Sequence, residues 1–169
     1  MTTTLCFSRN RCTSVEILDE QTLVSTCALQ DSLTEATIRL RVQLPELEIT
    51  HAEGAFSRSH GSACVDVAPA LSKIAGVRIG AGMKKIIRGL IGEITDCQEL
   101  PLLVEEACHG VILAFTKDML ELVPKEAEQE KDFFTQMVQK NIRLYNSCAA
   151  FAPGSPLVEG IDRAEISTD

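Results

Sequence analysis

Cysteine is the residue type in this chain with the most chemistry to offer. Seven occur, at positions 6, 12, 27, 64, 97, 108 and 148. Cys64 lies in the run H-G-S-A-C-V-D, where His60, Cys64 and Asp66 are all ligand-capable and close in sequence. A soft thiolate beside an imidazole and a carboxylate suits zinc, iron or an iron–sulfur centre. Cys97 falls where a helix is expected to begin, and there unpaired amides and the helix dipole favour a thiolate. Asp96 beside it acts in the opposite direction. Cys148 follows the last expected helix, where the chain is free to fold back towards the other cysteines, at a distance from Cys64 that the sequence does not set. Cys108 is eleven residues beyond Cys97 on one helix, roughly 16 Å along the axis, too far to share an ion with it. Cys108 and Cys27 read as core residues, since free cysteine is among the most buried residue types.

A second candidate lies upstream of Cys97, in I-G-A-G-M-K-K-I-I-R. Gly80 and Gly82 would let backbone amides approach an anion at a helix start. Lys84, Lys85 and Arg88 would attract it, with Gly80, Gly82, Lys85 and Arg88 as the binding set. Nucleophilic catalysis has less to stand on. No nucleophile elbow, H-E-x-x-H or C-x-x-C pair occurs, and the histidines at 51, 60 and 109 have no evident triad partner. Adjacent Glu105 and Glu106 read as helix surface.

The elements that must position these residues follow from hydropathy period. Runs at 5–8, 13–18, 23–29, 36–44 and 47–56 are strand-like, broken by Asn10, Asp19-Glu20, Asp31-Ser32 and Pro45. In A-T-I-R-L-R-V-Q-L, Ile38, Leu40, Val42 and Leu44 alternate with Arg39, Arg41 and Gln43. One face is buried and one is wet, as in an antiparallel meander, and the outward arginines read as solvated. Asp66 is the expected N-cap of a short helix with Pro69 in its first turn and Gly76 after its end. A helix over 82–90 carries the stripe Met83, Ile86, Ile87, Leu90. Asp96 and Glu99 have capping-box spacing ahead of a central helix through Phe115. After Pro124 a last helix buries Phe133, Phe134, Met137, Val138, Ile142 and Tyr145.

Strands first and helices after predict an α+β fold, an N-terminal antiparallel sheet of four or five strands with three or four helices packed on one face. One domain is expected over 1–152, with 153–169 a polar, partly disordered tail.

Composition narrows the function classes. The 169 residues carry a net charge of −8, no tryptophan and one tyrosine. An acidic chain without aromatic platforms argues against nucleic-acid binding. No apolar run approaches a bilayer span and no secretory leader opens the sequence, so a cytoplasmic protein is expected. An odd cysteine count in that setting argues against a disulfide framework.

The run from Val77 to Leu100 is similar to the signature of domain-of-unknown-function family 2889. Gly80, Gly82, Lys85, Arg88, Gly92, Cys97 and Leu100 fit it, and the likeness extends to Ser8-Arg9, Cys64 and N-S-C-A near Cys148. Asp96 stands where the family has glycine before the cysteine, Gln98 where it has histidine, and Ala149 where a histidine is common. The resemblance implies a fold more than an activity. Gly61 to Val67 also resembles the small-x-x-Cys-x-Asp stretch of U-type iron–sulfur scaffold proteins, a likeness at the level of fold.

The expectation from these residues is a module that holds a metal or iron–sulfur cluster through Cys64 and Cys97, with Asp66, His60 or Cys148 completing the shell. Two alternatives stand beside it. One is a metal-free protein binding a small anionic organic acid or acyl ligand. The other is a thiol enzyme using Cys97 as nucleophile. A homodimer is expected on frequency alone.

Overall fold

A computed structural model of the chain describes residues 3–59, 64–140, 144–146 and 148–161, apart from the side chains of 118, 119, 127, 128 and 140. His60 and Ile142 lie outside the described residues. The fold is α+β, four antiparallel strands followed by four helices. By internal packing the chain forms two compact units, residues 1–114 and 115–169.

In the first unit the strands β1 (Arg9–Asp19), β2 (Thr22–Asp31), β3 (Glu35–Gln43) and β4 (Glu48–Arg58) form a meander in sheet order β1-β2-β3-β4. The alternation in β3 is borne out: Ile38, Leu40 and Val42 are fully buried, whereas Arg39 and Arg41 are exposed. On β2, Leu23 lies opposite Val42, Cys27 opposite Ile38 and Leu29 opposite Ala36, all on the same buried face. On β4, Gly54 stands opposite Ile38. A Cβ there would run into the Ile38 side chain, and 2.8 Å from the Thr37 carbonyl, so only glycine lets Ile38 lie across the strand. Residues 5–8 form no strand. Leu5 and Phe7 are exposed, and Arg9 stacks over the Phe7 ring instead.

Three helices close the inner face. They are α1 (Ala68–Ser72), α2 (Met83–Gly92) and the first part of α3 (Glu99–Glu121). Ala70 and Leu71, then Met83, Ile87 and Ile91, then Leu100, Leu103, Val104, Ala107 and Val111 join the sheet residues in one core. α3 comes especially close to the sheet at Gly110, where a Cβ would stand 2.5 Å from Thr13 Cγ2. One turn earlier, the Ser25 hydroxyl donates to the Ala107 carbonyl at 2.7 Å, a buried bond between β2 and α3.

Several helix boundaries differ from the sequence reading. Val67, not Asp66, occupies the N-cap of α1, and Asp66 accepts the Ala68 amide from one position further out at 3.2 Å. α2 begins at Met83 behind Gly82, whose φ of 83° is the left-handed conformation that glycine takes without strain. Ile86 is exposed, because the buried stripe is Met83, Ile87, Ile91, rotated from the expected one.

In the second unit, α4 (Ala127–Lys140) supplies Val138, with Phe134 and Met137 beside it, to a small cluster with Phe151, Val158 and Ile161. Two short 3-10 turns, Ala149–Phe151 and Pro156–Val158, carry the chain past it. Residues 153–161, expected to lie in a polar tail, are held here: Thr135 Oγ1 donates to the Leu157 carbonyl at 3.1 Å and Lys131 pairs with Glu159 at 3.5 Å.

Candidate functional site

Cys64 follows β4 and precedes α1, and Cys97 lies between α2 and α3. Folding brings these two cysteines, 33 residues apart in sequence, into a disulfide with a Cα–Cα distance of 5.0 Å. The expectation of no disulfide is corrected by this bond. The pairing depends on α1 packing along β4 and on α2 returning the chain to the start of α3. Cys97 is two residues ahead of α3, its amide donating to Thr95 Oγ1 at 3.2 Å. Its exposure is 3%, and Cys64 is half-buried against the same core.

The other expected ligands are placed unevenly. Asp66 is exposed, with one carboxylate oxygen taken by the Ala68 amide. His60 is not among the described residues. Cys148 is exposed and belongs to the second unit. Among the described residues, no group of three or more His, Cys, Asp or Glu side chains is placed to hold a metal ion. The donors in hand are two sulfurs bonded to each other, fewer than a tetrahedral metal site takes.

The expected anion set is also divided. Gly80 and Gly82 shape the entrance to α2, where the Gly80 carbonyl accepts the Met83 amide at 3.2 Å. Lys85 is exposed. Arg88, by contrast, is committed to Glu105 of α3: Nε donates to Oε1 and Nη2 to Oε2, the latter at 2.9 Å. This bidentate pair raises the Arg88 pKa and neutralises the carboxylate. Glu105 is therefore not helix surface. Only 7% of it is exposed, and no local sequence spacing links it to Arg88.

Cys27 and Cys108 are buried core thiols. Burial pushes the Cys108 thiol up to about 12, with nearby Glu105 adding to the effect, and burial likewise raises Cys27. Neither is a nucleophile at neutral pH. Asp31, which read as a turn breaker, is a buried carboxylate ending β2. It accepts the Leu33 and Thr34 amides at 2.7 and 2.6 Å and Arg9 Nε at 2.6 Å. Burial raises its pKa, but these donors outweigh burial and hold it below the usual carboxylate range.

The profile of the protein family of unknown function DUF2889 matches residues 15–112. The chain belongs to this family. The match takes in all the paired strands but the start of β1, all of α1 and α2, most of α3, and both bonded cysteines. No curated protein matches the chain. No solved structure matches it either. No helix among the described residues is long and apolar enough to cross a membrane.

Proposed function

We propose that this DUF2889 protein is a thiol module whose working centre is Cys64 and Cys97, cycling between disulfide and dithiol. One observation carries the reading: two cysteines 33 residues apart meet at bonding distance on the rim of the core. Their unequal exposure assigns the order of events. Cys64, the more open, attacks a small disulfide such as oxidised glutathione and expels one thiolate. Cys97 then attacks the Cys64 sulfur, closing the Sγ–Sγ bond and expelling the second thiolate. Both thiol protons pass to solvent and both electrons leave on the released thiols. Reduction by a small dithiol reverses these steps. A reducing compartment such as the cytoplasm would keep the pair open until an oxidant arrives.

The test equilibrates the folded protein in glutathione buffers of graded ratio, traps free thiols by alkylation and counts them by mass spectrometry. The expected result is one two-electron transition confined to Cys64 and Cys97, with the far-ultraviolet circular dichroism unchanged across it. A bond that opens only when the protein unfolds would refute a working centre and leave a fixed staple.

The metal reading uses the same two residues in their reduced state, and it is favoured by Asp66 lying two positions beyond Cys64 with an exposed carboxylate. Further donors would come from His60 or a second copy in a homodimer. Its test is elemental analysis and a visible spectrum of protein purified without oxygen, beside Cys64→Ser and Cys97→Ser. Near-stoichiometric zinc or iron that falls in both variants supports it, and metal-free parent protein overturns it.

A further inference from the structure

The outer face of the sheet contains a depression of about 100 Å³ lined by Leu18, Val24, Arg39, Arg41, His51 and Glu53. Three strands place these residues together by register. Arg41 lies between Val24 on β2 and His51 on β4, and Arg39 lies between Thr26 and Glu53. Opposed residues in an antiparallel sheet share a face, so both guanidinium-bearing positions look out over the same spot, roughly 7 Å apart along β3.

What singles out this pair is that, among the described residues, neither arginine is held in an ion pair. The protein has a net charge of −8, and its other described arginines are all matched with carboxylates. Arg9 pairs with Asp31, Arg11 with Glu106, Arg58 with Glu35, Arg78 with Glu48 and Arg88 with Glu105. Among the described residues, Arg39 and Arg41 alone of the arginines have no carboxylate within the same reach. The one acid lining the depression, Glu53, sits instead 3.7 Å from His51 Nε2. Beside Arg41 on β2 lies an apolar floor: Val24 is only 5% exposed although it is on the outer face.

We propose that Arg39 and Arg41 form a binding site for a small oxyanion carrying a short aliphatic group. Guanidinium forks match the oxygens of carboxylate and phosphate, and two of them on one rigid strand are pre-organised for one oxyanion head. Val24 and Leu18 take the adjoining carbons. The depression is far smaller than a cofactor pocket, which usually spans about 300–1,000 Å³, so the ligand is a head group with few carbons. A carboxylic acid and a phosphate monoester share this chemistry. The site is independent of the cysteine centre, and its failure leaves the thiol reading untouched.

The experiment is a backbone-amide NMR titration of the full chain at low ionic strength with four probes: acetate, butyrate, inorganic phosphate and butyl phosphate. Sodium chloride at matched ionic strength is the control. Saturable shifts centred on Val24, Arg39, Arg41 and His51 are expected, with the longer-chain probe of the matching head group binding tightest. The better pair identifies the source as carboxylic acid or phosphate ester. Arg39→Gln and Arg41→Gln should each weaken binding by about tenfold or more, the scale of one lost charge-assisted hydrogen bond. Glu53→Gln should tighten it, and Arg58→Gln, whose guanidinium already serves Glu35, should leave it unchanged. Shifts that never saturate, that chloride reproduces, or that persist at parental strength in both arginine variants would overturn the proposal.

Discussion

Replacing Gly110 with alanine sets two known effects against each other. In the interior of a helix, glycine to alanine ordinarily stabilises by about 1 kcal/mol. At this position the new Cβ would lie 2.5 Å from Thr13 Cγ2, 3.3 Å from Val15 Cγ2 and 3.5 Å from Ser25 Oγ. The first distance is shorter than real Cβ contacts allow, so α3 must lift from β1 or Thr13 must leave its rotamer. Overpacking of this kind costs about 1–3 kcal/mol. Lifting α3 also stretches the buried Ser25–Ala107 bond, worth about 1 kcal/mol. The clash wins, and Gly110→Ala should destabilise by about 1–2 kcal/mol net. For a protein of this size the melting temperature should fall by roughly 2–8 °C. Gly89→Ala on α2 is the control, because nothing lies within 4 Å of the Cβ it would add. It should stabilise by roughly 0.5–1 kcal/mol. Urea denaturation followed by circular dichroism measures both. Adding Thr13→Ser, which removes the offending methyl, should restore part of the loss in Gly110→Ala. If Gly110→Ala is as stable as the parent, α3 does not approach the sheet this closely and the packing argument fails.

Three further outcomes are expected. Alkylation of the native, oxidised protein followed by peptide mass spectrometry should label exposed Cys6, Cys12 and Cys148 and spare Cys27 and Cys108, whose thiols are sealed in the core until unfolding. Removing the disulfide by Cys64→Ser or by a reductant should lower the unfolding free energy by about 4 kcal/mol or less, the loop-closure value for a 33-residue separation, read as a shift of the urea midpoint. The Asp31 carboxylate has its pKa depressed in the folded state, so its contribution is present above the unfolded value of about 3.9 and is lost as pH falls through the folded value. Asp31→Asn should therefore make the acid limb of the stability–pH curve shallower below pH ~4.

Legibility in the sequence followed the range of the interaction concerned. The β3 alternation announced both faces of the sheet because a strand's pattern repeats every second residue and needs no partner to be read. In α2 the expected stripe holds for Met83 and Ile87 and fails for Ile86, which faces solvent because Ile91 completes the buried stripe. From their settings, one in a polar loop and one ahead of a helix, Cys64 and Cys97 read as a pair of metal ligands, and the odd cysteine count argues against a disulfide. That their sulfurs bond depends on how α1 and α2 fold back, which neither setting encodes. Glu105 is the same case in charge. It sits beside Glu106 in the sequence and looks solvated, yet it is buried against an arginine 17 residues away on another helix. That neither Arg39 nor Arg41 is ion-paired among the described residues is least legible of all, since an unpaired charge can be identified only after its neighbours are placed.

The Cys64–Cys97 bond also has a topological consequence. It makes a covalent ring that contains α1 and α2 whole. Force applied to the two chain ends bypasses the ring, so mechanical extension of the oxidised protein falls short of the reduced one by roughly 110 Å, the reach of the 33 residues between the sulfurs. A protease that cuts once inside the ring opens it without releasing a fragment, and the nicked chain still migrates as one molecule. Separation then waits on a reductant, so whichever agent opens this bond also decides when such a cut takes effect.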